Sequence, residues 1–393
     1  MDWRDRLYIY VACNPRKRET AWDAMKIVLV TGSYPPDICG VADYTARLGE
    51  ALEKAGATVE FFTGKRWSLA NSFKLSRELS GRAADVLHMQ YPATGYGWQL
   101  GPQMLSLLHP FVMTIHECSQ AHILRRISLY PYGLRTQKII FTNVYEQDYC
   151  SRFAPWIKGR SEVIPIGSNV YEQGYYSRFA PWMKGRGEVS PIGSGAPLGV
   201  EEVIRLPSVV SYFGLIRPQK GLEQVVEMAR IFKARGGGLR VRIVGMVMPG
   251  YEEYFARLRS DTEDLPIEWQ MGLNGAALSR ALAETEVAYL PFPDGASERR
   301  SSLIAMLGNK VAILTTRGEH MPSDMENAVQ IAGSPAEAAR LAEELFLHPE
   351  HRVSQQMCAS AYAEKFSWDS IAAHHMAIYA QLITHKPQSA RTP

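Results

Sequence analysis

Lys220 stands directly before Gly221, between the apolar run SVVSYFG and a helical pattern at Leu222, Val225, Val226, Ala229 and Phe232. A strand-to-helix turn leaves backbone N–H groups unpaired, and an ammonium beside them suits a diphosphate, whose charge must be neutralised. Arg217, earlier in the same turn, either adds a bidentate phosphate contact or forms an ordinary surface ion pair. A second anion cradle is expected where Glu298, Arg299, Arg300, Ser301 and Ser302 separate the strand-like VAYLPF from a helical pattern at Leu303, Met306 and Leu307. Ser301 or Ser302 is expected to cap that helix, and its free N–H groups would join the guanidinium groups around an anion. His116 ends the apolar run PFVMTI, at a strand carboxyl end, where its imidazole can hydrogen-bond a ligand without acting as a base. Glu117 either orients His116 or faces solvent, and His88, in VLHMQY, is assigned to packing. The GGG at 236–238 reads as a helix exit and not a Walker loop. His374 and His375 lack further ligands at suitable spacing, so neither a metal nor a cofactor is assigned.

These residues need rigid elements to hold them, and the apolar patterning supplies two series. The first runs KIVLVTG, a helix through Tyr44, Leu48, Leu52 and Ala55, then TVEFFTG, ADVLHMQ, PFVMTIH and KIIFTN. The second runs SVVSYFG, RVRIVG, PIEWQMG, EVAYLPF and KVAILTT. Strands separated by helical segments imply parallel sheets covered on both faces. The fold class expected is α/β, with two doubly wound Rossmann-like domains facing a central cleft, the default ligand site. The boundaries expected are an N-terminal extension at 1–25 that need not belong to the fold, a first domain at 26–195, a linker at 196–207, a second domain at 208–366, and a C-terminal helix and tail at 367–393.

At 393 residues the chain is long enough for two or three domains, and its 46% apolar content supports substantial cores. A net charge of +3 excludes a strongly basic nucleic-acid binder. Five scattered cysteines without a CxxC pair read as reduced thiols. No apolar run approaches a membrane span, and the charged leader does not read as a signal peptide, so the expected location is cytoplasmic. Peripheral contact at the inner face of the membrane stays open, through Trp156, Lys158, Arg160 and their counterparts Trp182, Lys184 and Arg186.

Those counterparts belong to a tandem repeat. Residues 143–168 recur at 169–194, with differences at only five of 26 positions: Asp148/Gly174, Cys150/Tyr176, Ile157/Met183, Ser161/Gly187 and Ile164/Ser190. One repetition is too short for a solenoid. The second copy loses an apolar strand residue and gains glycines, so the first is expected to fill the sheet and the second to be an extra segment.

GSYPPDICGVADYT, TIHE, IPIGS, YFGLIRPQKG and RRSSLIAMLGNKVAILTT, in this order, resemble the nucleotide-sugar-dependent glycosyltransferases of family 4. The resemblance runs from about Lys26 to the C-terminal helix, apart from the duplicated insert. It implies the two-domain GT-B fold, a nucleotide-diphosphate sugar donor and retention of anomeric configuration in polysaccharide or glycoconjugate assembly. It also implies that Gly40 lies in the ligand-binding first loop, where Cys39 replaces a second glycine, and that His116 contacts the donor. In the phosphate turn Leu215 occupies the family's usual arginine position, and Arg217 is the candidate substitute. The family's paired glutamates are absent: Ala296 and Ile304 occupy their positions, leaving Glu298 as the nearby acid for ribose or sugar hydroxyls. The function expected is therefore transfer of a hexosyl unit from a nucleotide-diphosphate sugar to a glycan or lipid-linked saccharide acceptor. The alternatives are a catalytically impaired sugar-nucleotide-binding subunit and a nucleotide-sugar epimerase on a similar scaffold.

Overall fold

The computed structural model describes residues 25–37, 39–119, 122–166, 203–273 and 275–384. The described residues fall into two compact units, one comprising 25–166 and 368–384 and the other 203–367. The 1–24 leader, the second repeat copy and most of the expected linker lie outside the described residues.

The first unit contains β1 (Lys26–Val30), α1 (Gly40–Lys54), β2 (Thr58–Phe62), α2 (Ser72–Ser80), β3 (Val86–Tyr91), α3 (Gly101–Leu108) and β4 (Val112–Ile115). Two short helices, α4 (Ile123–Ile127) and α5 (Tyr132–Arg135), lead to β5 (Lys138–Phe141), α6 (Val144–Phe153) and β6 (Ser161–Val163). The strands form a parallel sheet in the order β2-β1-β3-β4-β5-β6. Alternation along β1 sends Ile27 and Leu29 into one buried cluster and Val28 and Val30 into another, so both faces of the strand are covered.

The C-terminal helix, Trp368–Thr384, completes this unit. Its Ile371, Ala372, Met376, Ile378 and Tyr379 join the cluster formed by β1 and by Tyr44, Leu48 and Leu52 of α1. The first repeat copy supplies α6 and β6, with Ile139 to Phe141 of β5 pairing with Ser161 to Val163. Cys150, Ile157 and Ile164, three positions where the copies differ, are buried in this unit.

The second unit contains β7 (Val209–Ile216), α7 (Leu222–Arg235), β8 (Arg240–Val247), α8 (Glu252–Ser260), β9 (Ile267–Met271), α9 (Gly275–Ala283) and β10 (Val287–Leu290). It continues through α10 (Ser301–Gly308), β11 (Ala312–Thr315), β12 (Gln330–Ile331), α11 (Pro335–Leu347) and α12 (Pro349–Ala363); the C-terminal helix of the first unit is α13. Its parallel sheet has the order β12-β11-β10-β7-β8-β9. The strand order reverses between β7 and β10, the switch point at which doubly wound sheets bind ligands.

Candidate functional site

The turn after β7 brings Lys220 to that switch point. Gln219 and Gly221 have φ of 62° and 79°, folding the chain sharply before α7 begins. A side chain at Gly221 would meet the Pro291 carbonyl oxygen after β10, with its Cβ only 1.8 Å away, so the close approach requires glycine. The Tyr212 hydroxyl donates to the Lys220 carbonyl at 3.2 Å and fixes the turn from β7. No side chain caps the N-terminus of α7. Burial, followed by the nearby charges of Arg217 and Arg300, pulls the Lys220 pKa down to about 8. Lys220 has no ion pair among the described residues, and Arg217 donates only to the carbonyl of Pro218, at 3.4 Å. The turn thus combines positive charge with an uncapped helix N-terminus, an arrangement suited to a diphosphate.

The loop after β10 contributes Arg300 to the same electrostatic cluster. Its guanidinium pairs with the exposed Asp294 and lies 5.0 Å over the Phe292 ring, while its buried Nε has no hydrogen-bond partner among the described residues. Burial and the Arg217 charge lower its pKa. The serine-cap expectation is corrected here: Arg300 is the N-cap residue of α10, without a side-chain cap, and Ser301 and Ser302 are already helical. The extended Arg300 backbone starts the helix one residue earlier than a Ser301 cap would. Arg299 lies in the preceding turn, in the same loop. Glu298 is directed into packing interactions: Lys365 binds it at 2.6 Å, and the Tyr362 hydroxyl donates to it at 2.9 Å. Ala296 and Ile304 are 1% and 4% exposed, within the apolar core.

In the first unit, Gly40 is the first residue of α1 and Cys39 its N-cap. Burial favours the neutral Cys39 thiol, but the Thr94 hydroxyl and backbone N–H groups at Thr94, Ala42 and Val41 outweigh it and lower the pKa. The loop is held close to its neighbour: the Gly95 N–H donates to Ser33 Oγ at 2.7 Å, and a Cβ at Gly95 would stand 1.8 Å from the Gly32 carbonyl oxygen. Thus β1 and β3 deliver two tightly packed loops to the switch point of this sheet.

His116 follows β4, with its N–H donating to the Tyr91 carbonyl at 2.9 Å. Its half-buried ring meets Tyr44 edge-on at 4.7 Å, and Nε2 lies 2.8 Å from Gln90 Oε1. Burial, aided by nearby His375, pushes its pKa down to about 3, so its imidazole is neutral at physiological pH. Glu117 is exposed. His88 is fully buried, with Nδ1 2.5 Å from Tyr379 Oη and Nε2 2.8 Å from Thr114 Oγ1. His375 contacts the Ile371 carbonyl through Nδ1 at 2.8 Å, while its buried Nε2 has no partner among the described residues. No three potential metal ligands cluster among the described residues.

Sequence reasoning missed three supporting groups. Cys39, a replaced glycine by the resemblance, is the N-cap residue of α1 and makes no side-chain cap bond. Gln90 lies two residues after His88 in β3, a spacing that puts both on one sheet face. Glu146, in the first repeat copy, accepts backbone N–H bonds from Cys118 at 2.7 Å and Ser119 at 2.9 Å, tying down the chain after His116. Only tertiary structure reveals that last connection.

Comparison with known proteins finds no matching family model and no matching curated sequence. Solved structures do match in fold. Anabaena HepE in complex with UDP aligns with a TM-score of 0.55 at 13% identity, covering 91% of this chain and all of that one. A glycosyltransferase from Rickettsia africae aligns with a TM-score of 0.58 at 11% identity, covering 92% and 100% of the two chains. An α-glucosyltransferase in complex with UDP-glucose and abasic-site DNA gives 0.55 at 11% identity, with coverage of 92% and 100%. The chain has two Rossmann-like α/β domains of the GT-B fold.

Proposed function

We propose that this protein transfers a hexosyl group from a nucleotide-diphosphate sugar to a glycan or lipid-linked saccharide acceptor, with retention of anomeric configuration. The observation that carries the reading is the Lys220–Gly221 turn, where an unpaired ammonium adjoins Arg217, Arg300 and an uncapped helix N-terminus. In the proposed reaction the acceptor oxygen bonds to the anomeric carbon on the face from which the diphosphate leaves. The bonding pair of the broken C–O bond passes to the diphosphate, whose oxygen receives the acceptor hydroxyl proton. The cationic turn favours that separation of charge without a protein nucleophile. Similarity to folds solved with UDP and UDP-glucose supports testing uridine nucleotides first. The proposed donor contacts in the second unit are Arg217, Lys220, Arg299, Arg300, Ser301 and Ser302, without Glu298, which Lys365 and Tyr362 hold; those in the first unit are Gly40 and His116.

The decisive assay incubates purified protein with a panel of nucleotide sugars, with and without acceptor extracts, and measures nucleotide release and glycosylated product. Acceptor-dependent product supports transfer. Binding without turnover supports a sugar-nucleotide-binding subunit instead, a second reading favoured by the apolar residues at 296 and 304. Donor conversion without acceptor would support an epimerase.

Exposed apolar side chains of the first unit support a lipid-linked acceptor. Trp98, Leu100, Ile123, Leu124, Ile127 and Leu134 are each more than half exposed. Arg125, Arg135 and Arg160 donate to backbone carbonyls, leaving their charges available to anionic headgroups. No helix among the described residues is long and apolar enough to cross a membrane. Peripheral contact at the inner membrane face, in a cytoplasmic protein, predicts co-sedimentation with anionic but not neutral vesicles, reduced by Leu124→Asp.

A further inference from the structure

Gln90 connects the proposed transfer residue to a buried hydrogen-bond network. It belongs to β3, is fully buried, and stands opposite Thr114 in β4. Its Oε1 lies 2.8 Å from His116 Nε2, while its Nε2 lies 3.2 Å from His88 Nε2. The amide oxygen accepts a proton and cannot donate one, whereas the amide nitrogen donates. This orientation assigns the His116 proton to Nε2 and makes His88 Nε2 an acceptor. His88 Nδ1–H then donates to Tyr379, 2.5 Å away, and the single lone pair of His88 Nε2 is shared between the Thr114 hydroxyl at 2.8 Å and the longer Gln90 amide contact. The arrangement gives each ring nitrogen of neutral His88 a partner and leaves His116 Nδ1 as the open acceptor.

We propose that Gln90 is a positioning residue: it holds His116 as the Nε2–H tautomer and presents the Nδ1 lone pair to a substrate hydroxyl. This inference rests on the proposed transfer function for its catalytic consequence, but its structural claim is independent. His116 Nδ1 has no hydrogen-bond partner among the described residues. As an acceptor, it complements a sugar or acceptor hydroxyl and not the lone pairs of a diphosphate. Cationic recognition thus belongs to Lys220 and its neighbours, and hydroxyl recognition to His116. Tyr44, edge-on to His116 at 4.7 Å, restricts the ring orientation.

The direct test is nitrogen NMR of the full-length protein with labelled histidine, comparing wild type, Gln90→Leu and Gln90→Glu. Wild type should have a protonated His116 Nε2 and an unprotonated Nδ1. Gln90→Leu should yield mixed tautomers, whereas the carboxylate of Gln90→Glu should still accept from Nε2 and preserve the assignment. With a donor identified, Gln90→Leu should lower kcat/KM about tenfold and cause little further loss in a His116→Ala background. An Nδ1–H tautomer in wild type, or an unchanged tautomer in folded Gln90→Leu, overturns the positioning role. A changed tautomer with unchanged transfer also overturns its catalytic consequence. Absence of transfer by wild type with every donor and acceptor would reject the proposed reaction, while the NMR comparison still reads the tautomer independently. Near-ultraviolet circular dichroism identifies variants that retain the fold, and Gln90→Met replaces Gln90→Leu if the branched side chain prevents folding.

Discussion

Lys220, Arg217 and Arg300 repel one another, and a bound diphosphate relieves that repulsion. Lys220→Met should therefore weaken binding of a uridine diphosphate sugar roughly ten- to a hundredfold, as expected for loss of a charge-assisted contact. Titration calorimetry should find wild-type affinity falling as pH rises through about 8, as the ammonium loses its proton, with this step absent from Lys220→Met. Stability has the opposite slope. The folded pKa is depressed below the ordinary value of 10.5, so the unfolded chain binds more protons between these values and folding stability rises across this interval. Lys220→Met should consequently retain the wild-type melting temperature at pH 7 or exceed it. Wild-type nucleotide affinity in the folded variant would remove Lys220 from the site. A parallel Arg217→Ala titration should also show weaker binding, whereas unchanged affinity would assign Arg217 to the protein surface.

At the scale of elements, buried polar groups fasten helices to the two sheets. Arg242 in β8 is fully buried and bonds Ser211 of β7, Ala281 in α9, and Glu284 and Thr285 immediately after that helix. Arg242→Ala should destabilise the second unit by about 3 kcal/mol, because it leaves several buried acceptors without their donor. Chemical denaturation followed by Trp269 fluorescence measures this loss. In the first unit, burial depresses the His88 pKa and brings His375 to about 3. Their neutral forms support the folded unit above the ordinary histidine pKa of 6.5, and this support is lost as pH falls from 6.5 toward 3. The urea midpoint should therefore drop between pH 7 and pH 4, with a shallower dependence in His375→Leu. An unchanged slope would show that His375 does not contribute to the acid response.

The whole chain returns to its first unit after completing the second. Ending the protein at Ser367 should expose the α1 and β1 surface covered by Ile371, Met376 and Tyr379, lowering stability in the first unit more than in the second. Hydrogen exchange resolved by peptide distinguishes those losses. The repeat makes a separate prediction. Removing residues 169–194 should preserve folding, since the first copy supplies β6 and the buried Ile164, and loop shortening costs only about 1 kcal/mol. Removing 143–168 instead offers Tyr176, Met183 and Ser190 to the positions of Cys150, Ile157 and Ile164. The larger tyrosine and the strand serine should lower the melting temperature. The opposite order of stability would reverse the assignment of the structural copy.

Strand and helix positions were legible because alternating or helical apolar patterns remain visible in one dimension. KIVLV and VVSYFG have the continuous apolar character needed by parallel strands, and Gly221 follows a strand where a sharp turn is required. The sequence also identified His116 and Lys220 at strand ends. It did not determine that Glu298 would meet Lys365, that Arg300 would replace a serine as N-cap, or that α13 would return to the first unit. His88 and Tyr379, separated by 291 positions, illustrate the reason. Periodicity specifies which face of each element avoids water, but only folding selects the partner across that face and fixes the distances on which hydrogen bonding and electrostatics depend.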